Sequence, residues 1–348
     1  MENVPFGLLA ALVGLIGGAV LGLAARLGDF CTLGALESAM YGGDQRRLRM
    51  WGIMLATAIS VCFLLDAAGQ LDLRATPYLS VAWNPVASIV GGLLFGYGMA
   101  LAGNCGFGAL ARFGGGDIRS LVIVVVIGIF AFMTLNGPLS PLRTMLFPLS
   151  EPETTPGIAH FLERMTGIPR LAVALVVSAA LAAWALAHEP LRADRAKILW
   201  AMAAGLAIAS AFWGTYQLRI ASLEEVNVLG HSFTVPIGRT ILYLMTSSAG
   251  GIGFPIGSVI GVMGGALAGS LVRGLFQWEA CDDPRELGRQ VSGAALMGIG
   301  GVIALGCSIG QGASAFATLA WSAPVTLAAI MAGGALGLRQ LVRGFQPE

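Results

Sequence analysis

Long apolar stretches make up most of this sequence, and short segments between them carry most of the charged side chains. Residues 290–338 contain no charged side chain at all, and 120–142 and 171–187 are equally bare. A helix that crosses a lipid bilayer needs about 20 apolar residues, and each of these stretches approaches or exceeds that length. The pattern therefore predicts an all-α polytopic membrane protein.

About nine transmembrane helices are predicted from the apolar stretches. They are placed at about 6–27, 50–68, 84–104, 119–137, 170–188, 197–216, 254–272, 290–306 and 324–342. Other apolar segments are too short or too rich in glycine to cross the bilayer. We predict re-entrant or half helices there, at 31–41, 105–113, 238–252 and 307–322. Such segments are stable at membrane depth only where protein or a water-filled cavity satisfies their backbone groups.

Basic residues indicate the orientation, because short cytoplasmic loops are enriched in lysine and arginine. Arginines cluster within 46–49 and 285–289, and Arg339 and Arg343 follow the last apolar stretch. The sequence thus predicts an N-terminus outside and a C-terminus in the cytoplasm. His231, in a polar segment on the predicted outer side, is expected to be solvated.

The composition agrees with a membrane location and excludes several functions. Hydrophobic residues make up 56% of the 348 residues and charged residues only 11%, against roughly 25% charged in soluble domains. A formal net charge of +1 argues against nucleic acid as a partner. The 5 cysteines form no CxxC pair and the 3 histidines are scattered, so no metal site and no cofactor are predicted.

A glycine-rich unit with one cysteine recurs along the chain. The stretch 91–110 aligns with 17–36 and with 293–312, and these alignments superpose Cys105 on Cys31 and on Cys307. A unit that recurs with the cysteine fixed in register indicates a structural repeat. We therefore expect these cysteines to be central to the function.

The predicted topology makes the repeats inverted. The helix before Cys105 runs from outside to inside, whereas the helix before Cys307 runs from inside to outside. Inverted repeats with broken helices are the architecture of many transporters. We predict one transmembrane domain over 1–348, with halves at about 1–145 and 195–345 joined by a linking helix at about 170–188.

Each repeated cysteine precedes a short apolar piece, so it is expected near the N-terminus of a short helix. Helix N-termini attract anions through free backbone N–H groups and the helix dipole, and a thiol is a weak, polarisable hydrogen-bond donor. Together these features suit a small anion. The other candidate residues of the pathway are Asn104, Gly106, Ser308, Gln311 and, on the outer side, Arg239.

The charge state of the thiols affects whether an anion can pass. A helix N-terminus favours the thiolate, whereas apolar surroundings favour the neutral thiol. Because the segment around Cys307 carries no charge, we expect both central thiols to stay protonated at neutral pH. The alternative for each cysteine is simple packing between helices.

Several motifs together resemble the YeeE/YedE family of membrane proteins. They are FCTLGAL at 30–36, GNCGFGALARFGGGD at 103–117, GGIGFPIGSVIGVMGGALAGS at 250–270 and GCSIGQGAS at 306–314. The resemblance implies transport of sulfur compounds, thiosulfate above all, through an hourglass of inverted repeats. Thiosulfate would pass by S–H to sulfur hydrogen bonds with successive thiols.

The family pattern also implies two details. A further family cysteine would fall within 246–254, where this chain has Ser247 and Ser248, so these serines are included among the candidate pathway residues. A cytoplasmic sulfur-carrier protein is implied as a partner, in addition to membrane lipid.

The leading hypothesis is a permease of the bacterial inner membrane that takes up thiosulfate or a related sulfur anion and is not an enzyme. One alternative is a membrane sulfurtransferase that carries a persulfide on Cys105 or Cys307, although such an enzyme usually needs a nearby base. Another alternative is a transporter or channel for an unrelated small solute.

Overall fold

The computed structural model describes residues 5–247, 251–279 and 284–344, and within these ranges the chain is built almost entirely from helices. The α-helices are α1 Phe6–Leu27, α2 Thr32–Met40, α3 Arg46–Ala67, α4 Pro85–Ala102, α5 Gly106–Gly114, α6 Ile118–Leu135, α7 Ser140–Leu146, α8 Ile158–Thr166, α9 Arg170–Leu186, α10 Glu189–Ala193, α11 Arg195–Ala221, α12 Val235–Thr246, α13 Phe254–Val272, α14 Pro284–Ile303 and α15 Ser322–Gly344. A 3₁₀ turn spans Leu73–Ala75 and a π-helical turn spans Gly310–Ala315.

A helix occupies each of the nine segments predicted to cross the membrane. Among the described residues, seven helical segments are long and apolar enough to do so, and they contain α1, α3, α4, α6, α11, α13 and α15. Helix α9 is shorter, with 17 residues, and α14 begins with a charged turn. The chain is therefore an all-α, multi-pass membrane protein, as predicted, while the exact count of nine crossings stays a prediction.

Polar residues at helix starts explain several boundaries. Asn84 accepts a hydrogen bond from the N–H of Ala87 at 3.1 Å, and Pro85 follows at the first helical position of α4. Asp117 caps α6 in the same way, accepting from the N–H of Arg119 at 3.0 Å. Such caps satisfy donors that have no partner inside the helix, so these helices begin where the sequence supplies them.

The long helices are arranged in four units that share one plan, in which a short helix lies between two long ones. The units are α1–α2–α3, α4–α5–α6, α11–α12–α13 and α14–π-helical turn–α15. The short pieces occupy the four segments predicted to be re-entrant. Helix α12 begins at Val235, a few residues earlier than predicted.

Close packing of α1 against α13 depends on glycines that face each other. A Cβ added at Gly18 would overlap the carbonyl oxygen of Ser258, and one at Gly261 would overlap that of Leu15. Gly18 meets Ser258 and Gly22 meets Val262, so residue numbers rise together along this contact and the two helices run parallel. Backbones approach this closely in membranes only where small residues line the interface.

Helix α4 packs between α14 and α15 in the second half of the chain. Gly98 faces Gly293 while Gly91 faces Gly300, which makes α4 and α14 antiparallel. Against α15 the order is parallel, since Gly92 faces Thr326 and Gly96 faces Ile330. The relative directions of α4, α14 and α15 agree with the predicted topology, whose orientation in the membrane stays a prediction. At one end of the bundle α3 and α6 end, and α4 and α13 begin. We call this end the predicted outer face.

Candidate functional site

The three repeated cysteines follow breaks of the same local geometry. Two residues before each cysteine the backbone has a positive φ, which is 56° at Asp29, 75° at Gly103 and 57° at Leu305. Glycine adopts this left-handed conformation freely, but a bulky residue such as leucine rarely does. The conformation turns the chain sharply at the end of a long helix, and it places the cysteine at the start of the next piece.

Each cysteine caps the piece that follows it. Sγ accepts a hydrogen bond from the backbone N–H three residues later: Cys31 from Gly34 at 3.5 Å, Cys105 from Gly108 at 3.4 Å and Cys307 from Gly310 at 3.4 Å. This is the geometry of a helix N-cap, with sulfur in place of the usual oxygen. The thiol is thus held beside the positive end of a short helix, as the sequence predicts.

These starts of short helices converge in the protein interior. Cys105 is linked to Cys307 through Phe107, whose ring packs on that of Phe233, while the N–H of Phe233 donates to Sγ of Cys307. Thr32, the first residue of α2, donates from Oγ1 to the hydroxyl of Ser308 over 3.2 Å. Three elements that are distant in sequence are therefore linked where they begin, and each has a cysteine at its start.

The third unit contributes a serine and a backbone N–H instead of a cysteine. The N–H of Phe233 donates to Sγ of Cys307 at 3.3 Å, and Oγ of Ser232 lies 3.8 Å from the same sulfur. The ring of Phe233 also packs on Phe107 with a centroid separation of 5.3 Å. The segment before α12 thus occupies the position in its unit that the cysteines occupy in the others.

His231 anchors this segment and is fully buried rather than solvated, so the prediction of a solvated side chain is wrong. Its Nδ1 lies 2.6 Å from Oγ of Ser258 on α13, and its backbone oxygen accepts a hydrogen bond from Ser314 at 2.7 Å. The ring packs on Phe254 and lies against Gly17 of α1, where any side chain would collide with it. Gly17, which is distant in sequence, therefore leaves the space that the buried ring of His231 occupies.

A cavity of about 360 Å³ at the predicted outer face leads towards Cys307. Ser232, which contacts that cysteine, lines its inner end, as does Gly306. Arg239 of α12 and Arg143 of α7 line the same cavity. The sequence predicts an outer role for Arg239, but it gives no reason to select Arg143 in a proline-rich connection.

The centre of the bundle is closed in this structure. Cys105 and Cys307 are each only 1% exposed, whereas Cys31 is half-buried. The aromatic contact between Phe107 and Phe233 is equally buried.

The remaining predicted residues fall in different places. Asn104 is buried beside Cys105, and among the described residues its Oδ1 has no hydrogen-bond partner. Gln311 is buried and donates from Nε2 to the carbonyl of Ala304 at 2.8 Å. Gly106 begins α5 and faces Phe233.

Of the two serines suggested by the family pattern, only Ser247 is among the described residues, and it does not lie at the thiols. Ser247 is exposed at the end of α12, and Ser248 lies outside the described residues. Ser232 lies against Cys307 instead. The signal that could have found it is the repeat plan itself, because Ser232 lies three residues before α12 as Cys307 lies three residues before the π-helical turn.

Comparisons with known proteins agree with one another. A family model described as sulphur transport matches residues 27–336. The chain is 27% identical over 338 residues to the thiosulfate transporter TsuA of Escherichia coli strain K12, an alignment that covers 92% of each protein. It is 26% identical over 334 residues to the thiosulfate transporter TsuA of Spirochaeta thermophila, covering 90% of this chain and 94% of that one.

Proposed function

Because this chain belongs to the sulphur transport family, we propose that it carries thiosulfate, or a closely related sulfur-containing anion, across the membrane past the three converging thiols. The observation that carries the proposal is that Cys31, Cys105 and Cys307 each cap a short helical piece. The Thr32–Ser308 hydrogen bond and the Phe107–Phe233 contact link the starts of these pieces. Both relatives described above are named thiosulfate transporters. The family membership supports the substrate class and the geometry supports the route.

The route runs through partners that hold the ion weakly. From the outer cavity the ion meets Ser232 and Cys307, then Ser308 with Cys105, and finally Cys31 on the far side. A thiol donates a weak hydrogen bond that suits a polarisable sulfur atom. A permeating ion must bind well enough to enter but weakly enough to leave, so several weak donors in sequence serve better than one strong cationic site.

The ends of the short helices supply the rest of the attraction. An anion at a helix N-terminus is stabilised by the helix dipole and by N–H groups that have no partner in the helix, typically by 0.3–1 kcal/mol per helix. Asn104, which is buried next to Cys105 in the chain, would offer its amide N–H groups at the same point. Neutral thiols are required here, because a thiolate would repel the ion.

The predictions of topology belong to this proposal as well. We propose that the halves at about 1–145 and 195–345 are inverted copies joined by the helix at 170–188, and that they form an hourglass around the thiols. The N-terminus lies outside and the C-terminus in the cytoplasm of the bacterial inner membrane. A cytoplasmic sulfur-carrier protein would consume the imported sulfur.

Radiolabelled thiosulfate uptake into vesicles that contain the purified protein tests the proposal. We expect time-dependent uptake that unlabelled thiosulfate abolishes, and little transport of labelled sulfate. Vesicles without the protein are the control. Absence of thiosulfate uptake by folded protein would contradict the proposal. A stable persulfide on Cys105 or Cys307, found by mass spectrometry after exposure to thiosulfate, would favour a sulfurtransferase instead.

A further inference from the structure

His231 is a fully buried histidine that the proposed route does not use. Its Nδ1 lies 2.6 Å from Oγ of Ser258 on α13, whereas its Nε2 is buried and has no hydrogen-bond partner among the described residues. A buried polar atom without a partner is unfavourable, because it gives up a hydrogen bond that it would form with water. One ring nitrogen therefore holds the side chain in a place that the other ring nitrogen disfavours.

The two residues after His231 cover the thiol of Cys307. Ser232 lines the inner end of the outer cavity with its Oγ 3.8 Å from Sγ of Cys307, and the N–H of Phe233 donates to the same sulfur at 3.3 Å. Cys307 is only 1% exposed and is not part of the cavity lining. Residues 231–233, which we call the covering segment, therefore separate this thiol from the cavity.

The chain on each side of the covering segment is held independently of the histidine ring. Before it, the N–H of Leu229 donates to Oγ1 of Thr215 on α11 at 3.0 Å, and this hydroxyl lies 3.2 Å from the carbonyl oxygen of Leu229. After it, α12 begins at Val235. Between these points the ring of His231 contacts α13, and its backbone oxygen accepts from Ser314. The position of a loop this short depends on the few contacts in its middle.

We propose that His231 is a positioning residue, whose hydrogen bond to Ser258 holds the covering segment over Cys307 and closes the outer side of this thiol until the segment moves away. A gate of this kind needs two arrangements that differ little in free energy. The buried Nε2 reduces the difference, because it gains a water partner when the segment moves out. This inference rests on the proposed function, and it adds a gate to the route.

Two substitutions of His231 separate the hydrogen bond from the volume of the ring. Asparagine places an amide near the position of Nδ1 and can keep the bond to Ser258, whereas glutamine places its amide near Nε2 and cannot. The measurement is the rate at which methyl methanethiosulfonate labels Cys307 in purified protein in detergent, followed by mass spectrometry of peptides.

Labelling of Cys307 should report how often the covering segment is released. Loss of one neutral hydrogen bond shifts such an equilibrium by about twofold to tenfold, so His231→Gln and Ser258→Ala should each speed the labelling by about that factor. His231→Asn should stay near the wild-type rate. The double variant His231→Gln/Ser258→Ala should be close to the single variants, because both changes remove the same bond.

Gly17→Ala tests the position of the ring without changing the covering segment or Ser258. The added Cβ would overlap Nε2 of His231, so labelling of Cys307 should rise as it does in His231→Gln. This variant also serves if substitutions at position 231 prevent folding. His160→Gln removes another buried histidine, outside the cavity lining, and should leave the labelling of Cys307 unchanged.

Cys62 shows in the same samples whether the whole protein has loosened, since it is fully buried in α3. Its labelling should stay at the wild-type rate in every variant. Unchanged labelling of Cys307 in His231→Gln, Ser258→Ala and Gly17→Ala would overturn the proposal. Equal acceleration at Cys62 and Cys307 would overturn it as well, and so would His231→Asn if it behaved like His231→Gln.

Labelling needs no transported ion, so this test is separate from that of the proposed function. In vesicles, His231→Gln should lower the maximal rate of thiosulfate uptake about twofold to tenfold, because Phe233 no longer holds the thiol in place, and His231→Asn should restore the rate. Faster labelling of Cys307 in His231→Gln, in a protein whose wild type takes up no thiosulfate, would support the positioning role while the proposed function fails. Unchanged labelling in a protein that transports thiosulfate would overturn the positioning role alone.

Discussion

The backbone N–H of Phe233 donates a hydrogen bond to Sγ of Cys307 over 3.3 Å. This contact joins the segment before α12 to the start of the π-helical turn, and it holds the thiol that lies nearest to the outer cavity. The sulfur also accepts from Gly310 at 3.4 Å. Two backbone donors therefore fix the sulfur's position, while the thiol proton stays available for another acceptor.

Removing the central thiols tests whether they act on the substrate or only pack. We expect Cys105→Ala and Cys307→Ala each to lower thiosulfate uptake at least tenfold per folded molecule, because each change deletes a donor on the route. Loss of a buried hydrogen bond and of the sulfur atom should lower stability by only about 1–2 kcal/mol. Uptake is measured in vesicles, normalised to protein that elutes as a single species.

Cys62→Ala is the matched control for the thiol variants. This cysteine is fully buried in α3 and makes no hydrogen bond with the cysteines of the centre, so its loss should affect packing alone. Uptake should stay near the wild-type rate. If Cys307→Ala and Cys62→Ala transport equally well, the central thiols serve packing and the proposed route is wrong.

Glycines on adjacent positions of α13 give a sharp test of the helix packing. A Cβ at Gly265 would overlap the backbone oxygen of Ala19 on α1, whereas a Cβ at Gly264 would meet nothing within 4 Å. Gly265→Ala is expected to lower the free energy of unfolding by about 1–3 kcal/mol, the usual effect of overpacking. Gly264→Ala should be neutral or slightly stabilising, since alanine favours the helix.

Thermal unfolding in detergent, followed by size-exclusion chromatography of heated samples, measures both variants. The prediction requires that the unfolding midpoint of Gly265→Ala be clearly lower than that of Gly264→Ala. Equal midpoints would mean that α1 and α13 do not approach as closely as the structure has them.

The hydrophobic pattern predicts this fold well because a bilayer restricts the possible architectures. Backbone groups in lipid must be satisfied within helices, so each bare apolar run can be assigned to a helix, as the runs at 120–142 and 171–187 show in α6 and α9. The cysteine register likewise predicts that Cys31, Cys105 and Cys307 each stand at the start of a short helical piece, and each caps one there. Local sequence is informative in both cases.

The remaining features depend on contacts between distant segments. His231 reads as a loop residue, because nothing near it in sequence reveals that Gly17 of α1 leaves room for its ring. No cysteine marks the register at Ser232, and the family pattern points to 246–254 instead. Arg143 lies in a proline-rich connection whose path over the cavity depends on packing against other elements.

His160, in the short helix α8, makes the stability of the folded protein depend on pH. Its ring is buried, and burial is the main cause that lowers its pKa from 6.5 to about 4. Repulsion from Arg170 and Arg74 lowers the pKa further, and Arg164 adds to this effect. The carboxylate of Glu163 acts in the opposite direction. Between those two pH values the unfolded chain binds more protons than the folded one, so stability rises with pH. The contribution of His160 is fully present above about pH 6.5 and is lost as the pH falls towards 4.

Unfolding midpoints between pH 4 and 8 test this assignment. The wild type should lose stability progressively below pH 6.5, and His160→Gln, which cannot take up a proton, should show a shallower slope in that window. Nε2 of His160 lies only 3.5 Å from Nη1 of Arg170, so Arg170→Gln serves as a second comparison and should reduce the slope in part. Identical slopes in wild type and His160→Gln would contradict the assignment.

A cysteine at position 232 tests whether the outer cavity reaches the first thiol. Oγ of Ser232 lies 3.8 Å from Sγ of Cys307, close enough that two sulfur atoms could move to the bonding distance of about 2.05 Å after a small rotation. We expect Ser232→Cys to transport thiosulfate under reducing conditions. Under mild oxidation it should form a 232–307 disulfide, which mass spectrometry detects, and it should lose thiosulfate uptake until reductant is added. Ser247→Cys, at the exposed end of α12, should not cross-link to Cys307. If oxidised Ser232→Cys carries the disulfide yet transports at the full rate, the ion does not pass between these two residues.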